Sequence, residues 1–87
     1  MTEQEWMEKL ANEGYQHLSI AKLPAEFDDL HTHDEHTVHV MLEGELILIA
    51  ESGTALLKPG DYLEIPAGTT HKAKTGQGGC RMIVGWR

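Results

Sequence analysis

Cysteine occurs once, at Cys80, so no internal disulfide can staple the chain, and a single thiol fits a reducing cytoplasm. Basic residues number 7 against 14 acidic ones, with no basic run, and the net charge of −7 argues against a nucleic-acid or anionic-membrane partner. No apolar stretch approaches the ~20 residues of a membrane-spanning helix. The opening MTEQEWMEKL has neither a basic start nor an apolar centre, so it does not read as a signal peptide. Internal repeats, low-complexity segments and domain linkers are also lacking. What is left is a single domain spanning residues 1–87. A domain of this size buries only about 60–65% of the surface its unfolded chain exposes, so its core is marginal, and oligomerisation or a bound metal is expected to support it.

Histidine is what the chain does have. Four of its six histidines lie between Leu30 and Gly44, in LHTHDEHTVHVMLEG. His31 and His33 are two apart, so on a strand both side chains leave the same face and can close on one metal ion. The segments around them divide into a helical start and a β remainder. Thr2 to Glu13 reads as a helix, opened by a Thr2/Glu5 capping box, striped by Trp6, Leu10 and Met7, and stopped by Gly14. Residues 15–87 then follow a period of two. Tyr15–Leu23 is a strand that Pro24 ends or places at an edge, and Ala25–Leu30 reads as an acidic loop anchored by Phe27. Val38–Leu42 is a strand closed by a Glu43-Gly44 turn. Glu45–Ala50, Thr54–Leu57, Tyr62–Ile65 and Cys80–Trp86 are further strands. The turns between them are Glu51-Ser52-Gly53, Lys58-Pro59-Gly60-Asp61, Pro66-Ala67-Gly68-Thr69 and a glycine-rich loop over Thr75–Gly79. Short strands at regular spacing indicate a sandwich or barrel.

These residues resemble the two motifs of the cupin superfamily, commonly written G(X)5HXH(X)3,4E(X)6G and G(X)5PXG(X)2H(X)3N. The second is met by Gly60, Pro66, Gly68 and His71, with Thr75 in place of its asparagine. The first is met by His31, His33 and Gly44, with Ala25 in place of its opening glycine and Thr37 in place of its glutamate. The resemblance implies an all-β, single-domain cupin (jelly-roll) barrel of roughly eight short strands with a short N-terminal α-helix outside it. It also implies a divalent transition metal held by His31, His33 and His71. Inward positions alternate along barrel strands, so the three imidazoles can meet at one mouth. Imidazole suits Zn, Cu, Fe and Ni, and Mn is used where carboxylate and water help. A threonine hydroxyl is a poor ligand, so a fourth ligand is expected from His39 or water, then from His36 through a bulge, and last from Glu35.

The other polar and aromatic residues read more plainly. His17 is expected at the surface or in a dimer contact, Cys80 buried in a strand, Tyr62 as an aromatic strand residue, and Asp34 and Glu35 as rim charges. Trp6 is expected to pack on the barrel or a partner subunit. No residue stands out as a dedicated acid or base. The expectation is therefore a metal-binding cupin acting on or binding a small anionic or chelating molecule, with dioxygenase-like or Lewis-acid chemistry. The alternative is a non-catalytic barrel that binds or senses a small molecule. The open edge at Tyr15–Leu23 leads to the expectation of a homodimer.

Overall fold

The computed structural model describes all of residues 1–87. Helix α1 spans Glu3–Asn12. Thr2 caps it by accepting from the Glu5 backbone N–H, while the Glu5 side chain accepts from the Thr2 backbone N–H, which completes the capping box. Six strands follow: β1 (Gln16–Leu23), β2 (Asp28–Thr32), β3 (Thr37–Ala50), β4 (Gly53–Leu57), β5 (Tyr62–Ile65) and β6 (Thr70–Trp86). All pair antiparallel.

The two long strands organise the barrel because each serves both of its faces. The first half of β3 pairs with β5 and with the end of β6, and the end of β6 pairs with β1. The second half of β3 pairs with β4 and with the start of β6, and that start pairs with β2. Two four-stranded sheets result, β1-β6-β3-β5 and β2-β6-β3-β4. Counted by halves these are the eight short strands of a jelly roll; counted by continuous hydrogen bonding they are six.

Two expected breaks are therefore bends within strands. The Glu43-Gly44 turn is part of β3, and the Thr75–Gly79 loop is part of β6. The register slips between Gly44↔Cys80 and Leu46↔Thr75, so residues 76–79 bulge out opposite Glu45. Gly44 (φ 79°) and Gly79 (φ 66°) take left-handed backbone there, and a Cβ on Gly44 would lie 2.3 Å from the Gly79 carbonyl oxygen. The acidic loop also shrinks, because β2 already begins at Asp28. Thr75 fixes what remains of that loop: its hydroxyl donates to the Pro24 carbonyl (2.7 Å) and accepts from the Phe27 N–H (2.9 Å).

The core is in two parts. Inside the barrel lie Met41, Leu46, Leu48, Leu57, Met82 and Val84 with the buried Cys80. On the outer face of the first sheet, Trp6 and Leu10 of α1 pack with Tyr15 onto Val38, Val40 and Ile83. Trp6 is thus a packing residue, and Tyr62 is an exposed strand aromatic whose ring lies tilted against it, centroids 5.6 Å apart. His17 is exposed and, at φ 55°, sits in the bulge that shifts the register of β1 between Gln16 and Ser19.

Candidate metal centre

β2 lies beside the first half-strand of β6, and their register sets His31 directly opposite His71. Residues directly opposite share a face, so both rings enter the barrel. His33 lies just past the end of β2. Its carbonyl accepts the Gly68 N–H at 2.9 Å, and Gly68 holds the left-handed turn (φ 80°) that delivers His71. The proline-glycine turn of the second motif thus grips the HXH segment of the first. Ring centroids are 4.6 Å apart for His31 and His33, 4.2 Å for His31 and His71, and 5.5 Å for His33 and His71. One ring nitrogen from each lies within 4.8 Å of the other two.

The surroundings prepare these nitrogens to be ligands. His71 Nδ1 donates to the Thr69 carbonyl at 3.2 Å, which leaves the lone pair on Nε2, and that nitrogen is buried without a partner. His31 Nδ1 lies 3.1 Å from Asp29 Oδ2, the carboxylate–histidine arrangement that orients a metal-binding imidazole. Burial lowers the pKa of His33, helped by the charges of His31 and His71. Burial also lowers that of His71, against the raising effect of its hydrogen bond to Thr69. Neutral imidazole is the form that binds a metal. An orphaned buried nitrogen within a three-nitrogen cluster fits a divalent transition metal.

The remaining candidates lie elsewhere. His39 lines the same chamber but stands outside the cluster, its ring 6.3 Å from that of His71, with Nε2 at 3.4 Å from the buried Thr37 hydroxyl. His36 turns away from the site: its Nε2 is 3.0 Å from the Tyr15 hydroxyl and 3.7 Å from Glu64 Oε2. No bulge forms there, because His36 and Arg87 exchange backbone hydrogen bonds that hold the chain in line with β3. Asp34 and Glu35 are exposed. Asp29 was missed by the sequence reading, which placed it in a loop. The signal was present, since Asp29 and His31 are two apart and share a strand face.

The chamber has a volume of about 170 Å³. Apart from its four histidines it is lined by aliphatic and aromatic side chains, with Phe27, Leu46, Met82, Val84 and Trp86 among its walls. A second cavity of about 230 Å³, lined by residues of β4 and β5, also reaches His71.

Comparison with known proteins agrees with this architecture. The YdbB protein of Bacillus subtilis (strain 168) is 37% identical over 57 residues, 64% of this chain and 50% of that protein, so the chain spans about half the length of that relative. A cupin-2 domain containing protein from Shewanella frigidimarina superposes with a TM-score of 0.66 at 26% identity, covering 77% of this chain and 65% of that one. The DMSP lyase DddQ from Ruegeria pomeroyi superposes with a TM-score of 0.74 at 26% identity, covering 80% of this chain and 36% of that one. The cupin domain family matches residues 21–86, from β1 through the end of β6, and the chain belongs to that family.

Proposed function

We propose that the barrel holds one divalent transition metal on His31, His33 and His71 and uses it to bind a small anionic or chelating molecule in the chamber. The observation that carries this reading is the buried, unpartnered Nε2 of His71 within a cluster of three imidazoles. Three neutral ligands leave the ion its full positive charge, which favours an anion in the open positions. When bound, such an ion supplies Lewis-acid chemistry or, if redox-active, dioxygenase-like chemistry. The protein's part is to favour neutral His33 and His71 by burial, orient His31 through Asp29 and His71 through Thr69, and exclude bulk water with apolar walls.

The chamber contains no carboxylate, tyrosine, lysine or arginine to move a proton. That favours, as a second reading, a barrel that binds or senses its ligand without turning it over. A lyase among the structural relatives supports the catalytic reading instead.

Elemental analysis of protein purified without an affinity tag, beside the His31→Ala/His33→Ala variant, tests the metal. Stoichiometric Fe, Mn, Ni, Cu or Zn that disappears in the variant is the expected result. A wild-type protein that carries none and takes none up on soaking overturns it. Turnover of a small substrate by the metal-loaded protein, abolished by His71→Ala, separates the two readings. We propose further that two copies associate as a homodimer.

A further inference from the structure

Two buried ring nitrogens lack a partner, His71 Nε2 and His39 Nδ1. The metal cluster explains the first and leaves the second. A buried polar group without a partner is costly, so a site that keeps one has a use for it. His39 is 5% exposed and lies on β3 between the equally buried Val38 and Val40. Its other nitrogen has a neighbour, the Thr37 hydroxyl two residues back on the same strand face. If that hydroxyl donates to Nε2, the ring proton sits on Nδ1, and the imidazole becomes a neutral donor with nothing to donate to.

We propose that His39 is the ligand-recognition residue of the chamber: its Nδ1–H donates a hydrogen bond to an anion held on the three-histidine metal. This rests on the metal reading above. Burial, the largest cause, presses the pKa of this ring down to about 4, so it is neutral. The walls then define the ligand class. Outside the metal cluster only His39 and Trp86, with its indole N–H, bring a hydrogen-bond donor to the chamber, and no lysine or arginine lines it. A negative charge held away from the metal and His39 would be buried unpaired, which is costly. The ligand is accordingly a small anion whose charge is confined to one head between the metal and His39, with an apolar body against Phe27, Met82 and Trp86.

The test uses Co²⁺ alone and then azide, a monoanion small enough for the chamber, followed by visible absorption. His39→Leu is expected to bind Co²⁺ within about threefold of wild type and azide about tenfold or more weakly, the effect of removing one hydrogen bond to a charged acceptor. His39→Gln, which restores an N–H donor, is expected to recover part of the azide affinity. In zinc-loaded wild-type protein the ¹⁵N signal of His39 Nδ1 is expected to show a bound proton and to move on adding azide, a readout that needs no variant to fold. Loss of Co²⁺ binding in His39→Leu would make His39 a metal ligand and overturn the proposal. So would unchanged azide affinity, or a His39 signal indifferent to azide. A wild type that binds no Co²⁺ sinks the metal reading itself, a distinguishable failure.

Discussion

At the scale of single residues, the proposed metal site also depends on groups outside its three histidines. Asp29 holds His31 by Nδ1, and such partners are typically worth about 10–100-fold in metal affinity. Because this carboxylate is exposed, Asp29→Asn is expected near the low end, about tenfold weaker by metal titration, with the fold unchanged. A variant that binds metal as tightly as wild type would show that His31 needs no such support. Tyr15 offers a test at the far side of the first sheet. Burial, reinforced by the Glu64 carboxylate, pushes its phenol from 10.0 up to about 12, with Arg87 pulling the other way. The folded state thus keeps the proton that the unfolded state gives up. That contribution to stability is fully present below pH 10 and is lost as pH rises from 10 toward 12. In denaturant unfolding at a series of alkaline pH values, the difference between wild type and Tyr15→Phe is expected to shrink over that window, and the late tyrosinate absorbance step to vanish in the variant. A difference that stays flat would mean that the phenol titrates alike in both states.

At the scale of elements, the corner where β3 and β6 pass from one sheet to the other carries the most constraint. A methyl group on Gly44 would meet backbone atoms, the Gly79 oxygen at 2.3 Å and Cys80 Cα at 3.0 Å, and these cannot move aside as a side chain would. With the left-handed φ added, Gly44→Ala is expected to cost at least about 1–3 kcal/mol. For a domain of this size each kcal/mol is worth roughly 4–8 °C in Tm, so calorimetry will read it easily. An unchanged Tm would mean that the corner relaxes. This corner also shows how far the sequence was legible. The helix, its cap, β5 and the clustering of His31, His33 and His71 could be read because capping, period-two alternation and HXH spacing are local signals. The continuity of β3 and β6 could not. Gly44 and the run Gly76–Gly79 look like ordinary turn residues, and only the contact between Gly44 and Gly79 turns them into bends. The same holds inside the chamber: Thr37 was read as a missing glutamate, whereas its hydroxyl faces His39, a relation set by strand direction rather than by motif. His36 was a candidate on spacing alone, and pairing with Arg87 at the end of the chain decided otherwise.

At the scale of the whole molecule, the two sheets are covered unequally. The outer face of the first is closed by α1 through Trp6 and Leu10. The outer face of the second carries Leu30 (65% exposed), Leu56 (47%), Ile47 (38%) and Ile49 (37%) with nothing of this chain above them. In register they form one surface, since Ile47 lies opposite Leu56 and Lys74, while Ile49 lies opposite Lys72, which lies opposite Leu30. Leu56, Ile47 and Ile49 form an exposed apolar patch, parted from Leu30 by Lys72, and such patches mark association sites. Asp28 and Lys72, joined at 3.2 Å, place opposite charges on this same face, so a second copy related by a two-fold axis can set lysine against aspartate both ways. A core as small as this one gains from covering that face. The homodimer is therefore expected to form through the second sheet, rather than along the free edge of β1 that its strand pattern alone suggests. Sedimentation at micromolar concentration should give a dimer mass for wild type and a monomer for Ile49→Glu/Leu56→Glu. Both substitutions point away from the chamber, so the monomeric variant should still take up metal. A dimer that survives them would move the interface to β1, and a monomeric wild type would leave the second sheet to some other partner.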